Sequence, residues 1–148
     1  MNIKLLNEYA KIPTRGSEQS AGWDLYAAIA EPVTIMPHTT EKIGTGFTLE
    51  MPDGWFVGIY ARSGLATKEG LRPANCVGIV DPDYRGEYIV ALHNDSDIPQ
   101  TVLPGERIAQ MVFQIHGILE DGFTVVDEIS ETSRGDGGFG STGEKWLY

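Results

Sequence analysis

Apolar and strand-forming residues come in short runs along this chain, and almost every run is cut by a turn signal. "VTIM" stops at Pro37, "GFTLEM" runs into "PDG", and "WFVGIYA" runs into "RSG". "NCVGIV", "EYIVALHN", "TVLPG", "RIAQMVFQI" and "FTVVDEI" follow at similar intervals. Period-two alternation, enrichment in Val, Ile, Thr and Tyr, and closely spaced turns predict an all-β protein, a sandwich or jelly roll. "ERIAQMVFQI" has helical propensity, but its entry through "LPG" favours a strand. The one predicted helix is short, "SGLATKEG", with Ser63 as N-cap and Gly70 as its stop.

Composition narrows this picture. With 148 residues, 41% of them hydrophobic, the chain is long enough for one domain with a real core and too apolar for a disordered one. No run has the length of a membrane span, and "MNIKLLNEYAKIP" lacks the features of a secretory signal. A single cysteine, Cys76, excludes an intrachain disulfide and a Cys-rich zinc site, which together point to a soluble, cytoplasmic protein. The formal charge of −10 argues against nonspecific nucleic-acid binding, which needs a basic face. It leaves room for a small anionic ligand held by a local cluster, and Arg62, Arg85, Arg107 and Arg134 all stand beside or near glycines. From Ser130 onward Gly, Ser, Thr and charge dominate. This stretch is either a disordered tail or an arm that orders over a ligand, so the expected organisation is a β core over 1–129 and a flexible C-terminal arm over 130–148.

Several stretches carry possible chemistry. "ARSGLA" offers Arg62, Ser63 and Gly64 before a helix start, either an anion site or an ordinary cap. Asp24 lies in the apolar strand "AGWDLYA", where an acid requires an ion-pair partner, solvent or a hydrated Mg2+. "GIVDPDYRGEY" reads as strand, tight turn, strand. Its Asp81 can serve as general base and the Tyr84 ring can pack on a sugar or base, although Asp, Pro and Gly are also ordinary turn residues. Gln110 puts an amide into an otherwise apolar strand, where it needs partners. His38, His93 and His116 have no metal-ligand spacing, and there is neither a "GxxxxGK[ST]" loop nor a "GxSxG" elbow.

Read in order, "AGWDLYA", "ARSGLA", "NCVGIVDPDYRGEY", "PGERIAQMVF" and "RGDGGFGSTG" resemble the five ordered motifs of the trimeric dUTPases, over Ala21 to Gly143. The resemblance implies a β jelly roll in a homotrimer whose active sites are shared between subunits. The implied reaction is hydrolysis of dUTP to dUMP and pyrophosphate with Mg2+, which keeps uracil out of DNA and supplies dUMP for thymidylate synthesis. By the same resemblance Asp81 activates the attacking water, and Asp24 contacts the metal through water. Tyr84 packs against the deoxyribose and excludes a 2′-hydroxyl, while Asn75 and the Gly78 backbone read the uracil edge. Arg62, Ser63, Gly64 and Gln110 match phosphate contacts. Arg134, Gly140, Ser141 and Thr142 match the arm over the γ-phosphate, and Phe139 matches the ring that stacks on uracil. dCTP deaminases resemble this pattern too, but they carry a glutamate in the strand after the turn, where this chain has Ala91. A regulatory trimer without activity is the non-enzymatic alternative, which the presence of Asp81 and "GFGSTG" disfavours.

Overall fold

The computed structural model describes residues 1–117 and 122–137. The chain divides into two units, Met1–Ile118 and Leu119–Tyr148. The first holds all twelve described strands, arranged in four sheets around one core. Strands β1 (Asn2–Leu5) and β6 (Phe47–Glu50) pair with each other, as do β4 (Val33–Ile35) and β11 (Gln100–Val102). β10 (Ile89–Asn94) lies between β5 (Thr40–Gly44) and β8 (Leu71–Pro73). The largest sheet runs β2 (Thr14–Arg15), β3 (Trp23–Tyr26), β12 (Arg107–Ile115), β7 (Trp55–Tyr60), β9 (Gly78–Val80).

Alternation decides which faces are buried. In β10 Val90, Leu92 and Asn94 point inward, and in β12 Ile108, Ala109 and Met111 do so, with a register shift between Arg107 and Ala109. These residues close on Leu25, Ile35, Ile43, Phe47, Val57 and Val102, all essentially without solvent exposure. Asn94 belongs to that core because its amide is fully used: it donates to the Ile35 and Ile98 carbonyls and accepts from Ser96.

Three expectations need correction. The predicted helix is a single π-type turn, Leu65–Glu69, whose N-cap is Gly64 without a side-chain bond; Gly70, at φ 72°, ends it as expected. "FTVVDEI" forms no strand. Phe123, Val125 and Ile129 are more than four-fifths exposed, and a strand with no partner for its ladder does not persist. Finally, β9 and β10 do not form a hairpin, for β9 pairs with β7 while β10 pairs with β5 and β8. The Asp81–Tyr88 segment is therefore a link between two sheets.

Candidate active site

Two clusters of the expected residues form on the large sheet. The first centres on Asp24. Cross-strand register places Gln110 opposite both Asp24 on β3 and Tyr60 on β7, so the three share one level of the sheet. Arg62, just past β7, donates from Nε to Asp24 Oδ1 at 3.0 Å, and Arg107 at the start of β12 donates to Oδ2 at 3.1 Å. Asp24 is thus an ion-pair partner, with a largely buried carboxylate held between two guanidiniums. A charge-assisted bond such as the Arg62 contact is worth about 1.5–3 kcal/mol, and the half-exposed Arg107 contact less. Gln110 Nε2 donates to the Ala61 carbonyl at 2.9 Å, which ties β12 to the backbone just before Arg62. A side chain at Gly22 would run into the Gln110 amide, so the glycine of "AGWDLYA" makes room for the glutamine of "PGERIAQMVF". Ser63 and Gly64 are exposed beside this cluster. Arg107 is the member that sequence reasoning did not assign; its only signal was the turn glycine two residues earlier, Gly105.

The second cluster is a cleft of about 200 Å3 lined by Asn75, Gly78, Asp81, Tyr84, Glu87 and Tyr88, with Ile59 and Val80 among the apolar walls. Asn75 belongs to a tight reversal: Cys76 sits at φ 62° and Val77 N–H donates to the Asn75 carbonyl at 2.6 Å. Gly78 N and C=O lie on β9 opposite Ile59, and a Cβ there would meet the Asn75 amide at 3.3 Å. Asp81 is exposed at the end of β9, and its carboxylate has no hydrogen-bond partner among the described residues. Tyr84 N–H donates to the Asp81 carbonyl at 3.2 Å, and Arg85 donates to the Pro82 carbonyl at 2.6 Å, so Arg85 holds the shape of the link. The Tyr84 hydroxyl donates to the Glu87 carbonyl at 3.1 Å, and the Glu87 carboxylate accepts from Gly46 N–H at 2.7 Å.

Gly86 lies under the Tyr84 ring, where an added Cβ would fall 2.5 Å from Cζ. The obstructed atoms are the far end of a half-exposed side chain. Gly86→Ala is therefore expected to swing the ring off the Glu87 carbonyl at a stability cost within about 1 kcal/mol. The check is a melting curve, which should stay cooperative and within a few degrees of wild type; a loss of cooperative melting would mean that the ring cannot yield.

Tyr88 is 1% exposed, and its hydroxyl has no partner among the described residues. An unsatisfied buried hydroxyl costs about 1–3 kcal/mol. Burial pushes its phenol up to about 12, so it stays a neutral donor at any ordinary pH. Within the second unit, Arg134 is exposed and donates from Nε to the Gly137 carbonyl at 2.9 Å. Phe139, Gly140, Ser141 and Thr142 lie outside the described residues.

The dUTPase family model matches residues 8–143. Deoxyuridine 5′-triphosphate nucleotidohydrolase of Desulfitobacterium hafniense is 48% identical, over 90% of this chain and 87% of its own length. The enzyme of that name from Hahella chejuensis is 43% identical, over 96% and 93%. Among solved structures, a mutant dUTPase of Staphylococcus bacteriophage 80alpha with dUpNHpp superposes with a TM-score of 0.86 at 26% identity, over 97% of this chain and 98% of that one. The fold is accordingly a jelly roll, and the protein is a hydrolase. The chain belongs to the dUTPase family, whose enzyme class is dUTP diphosphatase.

Proposed function

We propose that this chain hydrolyses dUTP to dUMP and pyrophosphate at sites shared between the subunits of a homotrimer. The observation that carries the shared site is the order of groups along the large sheet. Gln110 and the Arg62 pair stand at the level of Tyr60, Gly78 is opposite Ile59, and Val80 is opposite Val57. Asp81 then leaves the sheet about 10 Å or more from the guanidiniums, at about 3.3 Å per residue. A nucleotide with uracil at Gly78 and its α-phosphorus at Asp81 would extend its remaining phosphates away from this chain's own Arg62. A second subunit's Arg62, Ser63, Gly64 and Gln110 are then needed to meet them. The exposed apolar side chains of Ile3, Leu5, Leu6 and Ile12, and separately of Phe123, Val125 and Ile129, support self-association.

In this reading Asn75 and the Gly78 backbone hydrogen-bond the uracil edge, and Tyr84 closes on the deoxyribose where a 2′-hydroxyl would collide. Asp81 takes a proton from water, whose oxygen attacks the α-phosphorus while the bond to the bridging oxygen of the β-phosphate breaks and pyrophosphate leaves. Arg62 and Gln110 orient the phosphates, and the guanidinium stabilises charge that develops on them. The arm from Ser130, with Arg134, Phe139, Gly140, Ser141 and Thr142, closes over uracil and the γ-phosphate.

The residues fit a metal that arrives on the substrate. Among the described residues no group of three or more His, Cys, Asp or Glu could cage an ion, and both Asp24 oxygens are taken by arginines. Mg2+ keeps its waters and binds through phosphates. Each Asp24 oxygen, bonded to a single arginine, keeps a second lone pair with which it would accept from a metal-bound water. When bound the ion would neutralise triphosphate charge. Among the described residues no helix is long and apolar enough to cross a membrane, and a cytoplasmic location is consistent with the lone Cys76.

Product analysis with Mg2+ and, separately, dUTP, UTP, dCTP and dTTP tests the reading. Expected are dUMP and pyrophosphate from dUTP alone. Ammonia from dCTP, or no product from any of the four, would overturn it.

A further inference from the structure

Among the groups lining the cleft that the proposed reaction does not use is Tyr88, whose hydroxyl is buried without a partner among the described residues. Its ring stands between two others, 5.1 Å from Phe47 and 6.2 Å from Tyr84 between centroids, with both pairs tilted by 42°. Its backbone is fixed on both sides: Tyr88 N–H donates to the Phe47 carbonyl at 3.0 Å, and its carbonyl accepts from Thr45 N–H at 3.1 Å and Thr45 Oγ1 at 2.5 Å. Phe47 is wholly buried in the core, whereas Tyr84 is 45% exposed in the cleft. The three rings thus form a column from the buried core to the half-exposed aromatic of the cleft.

A phenylalanine at position 88 would complete the same column without an orphaned hydroxyl. The buried donor here lines the cleft and lacks a partner among the described residues. Buried polar groups without partners are rare enough to point to a partner that arrives with another state. Resting on the assignment of Tyr84 to the sugar, we propose that Tyr88 is a positioning residue for Tyr84, and that its hydroxyl takes up a hydrogen-bond partner only when nucleotide fills the cleft. In the empty cleft Tyr88 backs the Tyr84 ring. In the filled one the added bond holds that ring forward against the deoxyribose, which sharpens rejection of the 2′-hydroxyl.

The test uses the full chain carrying Tyr88→Phe or Tyr88→Leu. The readouts are kcat/KM for dUTP and UTP, and the melting temperature with and without a non-hydrolysable dUTP analogue. Tyr88→Phe should melt higher than wild type when empty and gain less from the analogue. Tyr88→Leu should raise the UTP to dUTP ratio of kcat/KM about tenfold, the size of effect expected for losing one packing contact in a specificity pocket. An analogue-induced shift equal to wild type in Tyr88→Phe overturns the proposal, and that variant decides alone where Tyr88→Leu does not fold. A wild-type ratio in folded Tyr88→Leu overturns it as well. Wild-type protein that uses UTP as readily as dUTP would instead remove Tyr84 from the sugar, a failure of the underlying assignment that is visible before any Tyr88 variant is made.

Discussion

Asp81→Asn is expected to slow dUTP turnover by about 10²-fold or more while leaving dUTP affinity close to that of the wild type. The amide has nearly the shape of the carboxylate but cannot take a proton from water. Stability should be little affected, because Asp81 is exposed and its side chain has no hydrogen-bond partner to lose among the described residues. Surface changes of that kind stay within about 0.5 kcal/mol. Removing a negative charge near the triphosphate can only ease ground-state binding, so the loss should fall on kcat and not on KM. Pyrophosphate release and calorimetric titration with the non-hydrolysable analogue separate the two. A near wild-type kcat would take Asp81 out of its role as base.

Removing residues 134–148 is expected to lower hydrolysis by about 10²-fold or more, the usual effect of withdrawing positioned donors from a developing charge. The core should survive, since among the described residues the buried hydrophobic core lies between Leu25 and Met111. Cooperative melting together with lost turnover would separate an active-site arm from a structural tail. Full hydrolysis by the truncated chain would mean that Arg134 and the glycine-rich end play no part in the site.

Local patterning was a good guide wherever a strand could be read from its own residues. β4, β6, β7 and β10 to β12 fall where alternation and turns predict them, and "RIAQMVFQI" is the strand that its entry through "LPG" indicates. β1, β2, β5 and β8 carry weaker signals. β1 alternates in sequence (Asn-Ile-Lys-Leu) but is only four residues long and exposed at every position, and β5 buries only Ile43 and lacks apolar alternation. "FTVVDEI" errs in the opposite direction: its composition favours a strand, but strand formation also requires a neighbour to accept its hydrogen bonds.

The site divides in the same way. Sequence alone determined the all-β class, the family through five ordered motifs, and the candidate groups other than Arg107 and Tyr88, because each depends on residue type and local spacing. Only the tertiary structure decided that Asp24 lies between Arg62 and Arg107, since those partners are 38 and 83 residues away and meet through the β3–β12–β7 register. It also decided that the Asp81 segment links two sheets and is not a hairpin, and that Tyr88 stands behind Tyr84. Strand pairing is a long-range choice made by burial of the whole core, so no local run of residues encodes which strand will be its neighbour.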